Sequence, residues 1–200
     1  MGRKSIDKER KPITDKAKSW IRELLPLLQG QSLDKLTLNE LCTLMGKSKS
    51  TIYTYFETKE EIYQTAVRLI LEGLEPILSS KVEEGDNMEQ VYRSMLLQIS
   101  EGIEGLSINF LEQIQINFPD IWLIIESFTT DLLGKFERVY EIGMCSGEFK
   151  RFNISLLMAM DNHFVMSIMT NSTQFSDQGL SLNDLVSEYL ELRIRALKAV

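Results

Sequence analysis

Soft metal ligands are scarce in this chain, with one histidine, His163, and two cysteines, Cys42 and Cys145, in 200 residues. That is too few for a four-ligand His/Cys zinc site and makes no disulfide framework, so neither a metal nor any other cofactor is expected. Prolines number four and glycines eleven, and runs of alternating Val, Ile and Thr are few, which leaves little room for strands. No apolar run approaches the roughly 20 residues of a membrane-spanning helix, and Met1 to Pro12 is polar and basic where a secretory leader would turn apolar. A cytoplasmic protein without a membrane partner is expected. Catalytic signatures are missing as well. His163 has Met160 three positions before it, so no Glu-x-x-His pair exists, and there is no phosphate loop, nucleophile elbow or nucleotide-binding glycine pair. No catalytic residue is assigned.

What is present suits a folded helical protein, with 44% hydrophobic and 26% charged residues. Charge is uneven. Residues 1–59 carry 12 Lys/Arg against 7 Asp/Glu, whereas residues 60–200 carry 10 against 22, giving the net charge of -7. This pattern suits a small basic module that meets an anion, followed by an acidic body that does not, although a solvated basic tail would look the same. Apolar residues recur at three- and four-residue steps, as in Leu132, Phe136, Val139, Tyr140 and Met144. Gly30, Gly46, Gly85-Asp86-Asn87, Asn117 to Pro119, Ser146-Gly147 and Ser176 to Gly179 are stop signals. They divide an all-α chain into about nine helices. The first dozen residues are expected to be disordered.

Helix starts are marked by capping boxes at Thr37-Leu38-Asn39-Glu40, Thr58-Lys59-Glu60-Glu61 and Ser181-Leu182-Asn183-Asp184. From Thr37 a first helix would bury Leu38, Leu41, Cys42 and Met45. Gly46 supplies a left-handed turn, and Ser48 caps a second helix, Lys49 to Phe56, whose Ile52 and Phe56 pack back on the first. That is a helix-turn-helix. Its second helix turns Lys49, Ser50, Thr51, Tyr53, Thr54 and Tyr55 outward, groups suited to a groove wall and its phosphates. The first helix of the chain should end or bend at Pro26, which cannot donate to the Arg22 carbonyl.

The run from Thr37 to Ile62, above all Tyr53-Thr54-Tyr55-Phe56 with Lys59 three residues later, resembles the DNA-binding signature of TetR-family transcriptional regulators. Cys42 and Met45 stand where that family usually has alanines, Lys47 where it has an apolar residue, and Ser50 where glycine or alanine is frequent. The resemblance implies a three-helix N-terminal DNA-binding domain, residues 1–58, and a helical effector-binding and dimerisation domain, residues 59–200. It implies a dimeric repressor or activator, and the expected function is that of a ligand-responsive repressor that binds a palindromic double-stranded operator as a homodimer and is released by a small apolar or amphipathic effector. Thr37, Lys47, Ser48, Lys49, Ser50, Thr51, Tyr53, Thr54, Tyr55 and Lys59 are thereby assigned to DNA, with base reading by Lys49, Ser50 and Thr54.

For the body, an apolar effector pocket could draw on Met95, Ile99, Phe110, Ile114, Trp122, Phe128 and Phe136, together with Asn162, His163 and Met166, although helix packing alone needs such residues. A dimer seam could use Leu157, Phe164, Val165 and Ile168 on one helix and Leu185, Tyr189, Leu192 and Leu197 on the last. The helix that starts at Thr58 joins the two domains, and Pro76, beside Gly73, marks where it could bend. Cys42 reads as a small buried hydrophobe. A helix-turn-helix protein whose body docks only onto another protein, with no ligand pocket, remains open.

Overall fold

A computed structural model describes residues 10–104, 106–171 and 179–199. The first nine residues, and most of the stop at Ser176 to Gly179, lie outside them. Nine α-helices occur among the described residues: α1 Asp15–Leu24, α2 Leu38–Leu44, α3 Lys49–Ile52, α4 Lys59–Ser79, α5 Met88–Gly102, α6 Ile108–Asn117, α7 Pro119–Ser146, α8 Ile154–Thr170 and α9 Leu182–Leu197. None of them is long and apolar enough to cross a membrane.

Helix ends follow the local chemistry. α1 stops at Leu24 and tightens into a 3-10 turn, Leu25–Leu28, with Pro26 near its start, since proline supplies no amide for the next α-helical bond. Gly46 takes φ 62 between α2 and α3, and Gly147 takes φ 82 after α7, conformations that a side chain disfavours. The Thr37 box forms in full: the Thr37 hydroxyl accepts from the Glu40 amide, and the Thr37 amide donates to the Glu40 carboxylate at 2.8 Å. Ser181 and Asp184 do the same for α9. At Thr58 only half of the expected box forms, because Glu61 takes the Glu57 amide instead, at 2.6 Å.

These boxes have a pH signature. The Thr37 amide, and then its hydroxyl, hold the Glu40 carboxyl below the usual range; the Ser181 hydroxyl, and then its amide, do so for Asp184. A depressed carboxylate contributes stability that is complete above its unfolded pKa and is lost as pH falls through its folded one. Glu40→Gln is therefore expected to lower the urea midpoint at neutral pH, and the difference from wild type should shrink on acidification. A pH-independent difference would mean that the box does not act through charge.

The body is a helical stack in which α4 packs on α1, α5 and α7, α6 on α7 and α8, and α9 on α5 and α8. Buried side chains form one cluster from Ala17 to Leu197, so α4 belongs to both the N-terminal helices and the body. The turn after α7 is anchored three ways. Phe149 lies with its ring where a Cβ on Gly143 would come within 2.2 Å. The Phe149 amide donates to the Gly143 carbonyl at 2.9 Å, and Glu148 accepts the Met88 amide at the start of α5. Backbone bonds from Lys150 to Leu197 and from Ala199 to Glu148 then tie this turn to the end of α9 and the residues just after it.

Candidate nucleic-acid interface and effector cavity

α2 and α3 meet at the left-handed turn as expected, with Leu41, Cys42, Met45, Ile52 and Phe56 buried and Leu38 half-buried. Burial pushes the Cys42 thiol up, which leaves it unreactive. The second helix is shorter than Lys49 to Phe56. Regular α geometry ends at Ile52, and Thr54 and Tyr55 donate to the Thr51 and Ile52 carbonyls in a tightened turn. Tyr55 explains part of this: it turns inward, its ring edge-on to Trp20 of α1 at 5.9 Å, and Lys47 lies over the same Trp20 ring at 5.3 Å.

Side chains assigned to DNA are thus not equivalent. The Ser48 hydroxyl caps α3 by accepting from the Thr51 amide, and it shares short contacts with the Ser50 and Thr51 hydroxyls. Thr54 donates its proton to the Ser50 carbonyl at 2.9 Å, so it can offer a base only its lone pairs and methyl. Thr37 is occupied by Glu40. Lys59 turns its ammonium back onto the Leu33 and Asp34 carbonyls, at 3.1 and 2.5 Å, so two of its three donors are taken. Lys49 and Tyr53 stand outward, Tyr53 at 50% exposure, and neither side chain has a hydrogen-bond partner among the described residues. Arg10 packs alongside, paired with Glu57 and with Glu61, the latter at 2.9 Å.

The loop before α2 is held by the body, which the sequence did not suggest. Gln113 of α6 accepts the Leu33 amide at 2.6 Å and donates to the Gln31 carbonyl at 2.5 Å. Tyr63 of α4, buried, donates to the Leu33 carbonyl from the other side. One helix turn of α6 therefore touches both this loop and, through Leu111, the interior.

That interior contains a cavity of about 130 Å³ walled by α4 to α9, with Val67, Ile70, Leu71 and Leu74 supplied by α4. Of the expected pocket residues, Ile99, Phe128 and Phe136 line it. Met95, Phe110, Ile114 and Trp122 are buried in helix contacts elsewhere, Met166 is half-buried outside it, and Asn162 and His163 are exposed. Asp161, their neighbour, is the acid that faces in. It accepts from the Tyr140 hydroxyl at 2.9 Å, the Tyr189 hydroxyl at 2.5 Å and Arg193 Nη2 at 2.6 Å. Burial pushes both tyrosines up, Tyr189 to about 12, so both stay protonated at neutral pH.

The seam residues also land differently. Leu157, Ile168 and Leu197 are buried in the chain's own core, Phe164, Val165 and Tyr189 line the cavity, and Leu185 is half-buried. Leu192 alone of the eight is exposed, at 65%. On α8, Leu156, Ala159, Met160 and His163 form an exposed stripe at helical spacing. Pro76 lies inside α4 but beyond Leu74, the last cavity residue of that helix, so a bend there would not fall between the cavity and Lys59.

The same helical arrangement is seen in PfmR, a TetR-family transcriptional regulator from Thermus thermophilus, at TM-score 0.65 over 90% of this chain and 99% of that one, with 17% identity. The chain has the TetR-family fold. KstR2, a ketosteroid transcriptional regulator of Mycobacterium tuberculosis, matches over 96% and 100% at TM-score 0.64 with 13% identity. FadR, a fatty acid degradation regulator from Bacillus halodurans, matches over 94% and 97% at TM-score 0.62 with 17% identity. In sequence, YvaF of Bacillus subtilis (strain 168), described as an uncharacterized HTH-type transcriptional regulator, is 27% identical over 93 residues. That alignment covers 46% of this chain and 49% of YvaF, about half the length of that curated relative. No protein-family model matches the sequence.

Proposed function

We propose that the protein is a DNA-binding transcriptional regulator that binds a two-fold operator as a homodimer and responds to a small apolar or amphipathic effector. The observation that carries this reading is the outward pair Lys49 and Tyr53, without a hydrogen-bond partner among the described residues, at a helix-turn-helix on a TetR fold. A groove-facing helix needs groups that are free to meet phosphates and base edges. The cavity favours a small-molecule response over a body that docks only onto protein, and KstR2 and FadR are described as a ketosteroid transcriptional regulator and a fatty acid degradation regulator. Between two chains, the α8 stripe with Leu192 supplies the seam.

Selection of bound duplexes from a random pool, followed by gel-shift titration, tests the DNA reading. Lys49→Ala is expected to lose about 1–3 kcal/mol on the selected site and to change which bases are preferred at its position. Tyr53→Phe should weaken all sequences alike. Equal losses on every duplex for Lys49→Ala would remove Lys49 from the groove.

Effector response would pass along two rigid routes, α4 from Leu74 to Lys59 and α6 from Leu111 to Gln113, both ending on the loop at residues 31–34. Gln113→Leu removes the acceptor for the Leu33 amide while leaving the cavity wall and the Lys49 surface unchanged. The coupling between effector and operator, on the order of 1–3 kcal/mol in such systems, should fall in this variant, with each separate affinity nearly kept. An unaltered coupling would show that Gln113 only steadies the loop.

A further inference from the structure

The cavity wall is almost wholly apolar, and its polar groups are few enough to be inventoried. Along α7 the lining residues run from Ile125 to Tyr140, a stretch of about 22 Å at 1.5 Å per residue. A compact void of about 130 Å³ would suit one aromatic ring. The same volume holds an alkyl chain of about six carbons.

Asp161, Tyr140 and Tyr189 meet at the Tyr140 end. Both tyrosine protons point at Asp161, so what remains for a ligand is tyrosyl lone pairs and carboxylate oxygen. Tyr189 also accepts from Arg193, whose charge offsets that of Asp161, and Arg193 is not among the residues of the cavity wall. Two buried groups with no hydrogen-bond partner among the described residues, the Tyr92 hydroxyl and Arg193 Nε, belong to residues outside the wall as well. Toward the cavity, then, this end presents acceptors. At the other end, Thr129 has a hydroxyl that can act either way.

We propose that the cavity takes a short alkyl-type molecule of about six carbons whose head group donates a hydrogen bond, an alcohol or an amine, and that it rejects the matching carboxylate. This rests on the reading of the chain as a ligand-responsive regulator and names the chemistry of its effector. A donor head group meets the remaining lone pairs of Tyr140 and of Asp161 Oδ2, whereas a carboxylate would find no donor at this end and would be buried unsatisfied in an apolar wall.

Hexan-1-ol, hexylamine, hexanoate and hexane, each below its aggregation threshold, provide matched probes for calorimetric titration of the full-length protein without DNA. The alcohol and the amine are expected to bind at least about tenfold more tightly than hexanoate, with hexane weaker than hexanol. Asp161→Asn should erase the discrimination against hexanoate. Leu132→Trp, which fills the cavity from a wall residue outside the polar cluster, should block every probe while circular dichroism stays helical. Should Asp161→Asn fail to fold, the wild-type ranking and the Leu132→Trp result still decide. Hexanoate binding as tightly as hexanol, no binding by either donor-headed probe, or undiminished binding to Leu132→Trp would each overturn the assignment. Gel shifts with the same probes separate it from the regulator reading. Hexanoate that binds tightest and releases DNA would sink the head-group assignment alone. Hexanol that binds without altering DNA affinity would sink the ligand response alone.

Discussion

A Met160→Asp, Leu192→Asp double variant is expected to run as a monomer by light scattering at micromolar concentration and to lose operator affinity by on the order of 10²–10⁴-fold. Both side chains are more than half exposed, at 51% and 65%, so aspartate at either position costs the isolated chain little. In a dimer they would be buried, and two unpaired carboxylates facing an apolar seam are expensive. The loss on DNA follows from geometry: joined subunits present two recognition helices about 34 Å apart, and the second binds at an effective concentration that a lone subunit never reaches. Retained dimerisation would move the seam elsewhere. A monomer that binds DNA as tightly as wild type would remove the two-fold operator.

Phe149→Ala is expected to cost about 3–5 kcal/mol in urea or thermal unfolding, a large part of the roughly 5–15 kcal/mol that holds a typical domain together. Phe149 is buried, and its ring occupies space that opens only because residue 143 is a glycine. Truncation leaves a void that the neighbouring backbone cannot close, since the same turn is tied to α5 by Glu148 and to the chain's last segment by Lys150 and Ala199. Gly143→Ala should be destabilising for the opposite reason, a Cβ driven into the ring. A loss under about 1 kcal/mol for Phe149→Ala would show that the turn is held by its backbone bonds alone.

Local chemistry made the helix-turn-helix legible, because Thr37, Glu40, Gly46 and Ser48 act on their immediate neighbours and the structure puts each in the expected role. The length of α3 was not legible, since it depends on Tyr55 finding Trp20, 35 residues earlier in sequence. α8 shows a different difficulty. It is apolar on nearly every side, so periodicity could not tell the face that packs on the body from the face left exposed. Leu157 and Leu156 differ by one position, about 100° around the helix, and one is buried while the other is exposed. Nor could periodicity separate Asp161, which is buried, from its exposed neighbours Asn162 and His163. Its signal was a lone acid in an apolar helix together with Tyr189 and Arg193, four apart on α9, a pairing that only the fold brings to it.

The Asp161–Arg193 pair has side chains only 5% and 13% exposed, so mobile ions cannot approach it closely. Contacts to phosphate behave in the opposite way, because each releases counterions and weakens steeply as salt is added. Ionic strength should therefore act on one end of the molecule and leave the other nearly untouched. At high salt the protein would let go of DNA while keeping its grip on whatever fills the cavity, which allows the occupant to be carried through purification on a protein stripped of nucleic acid.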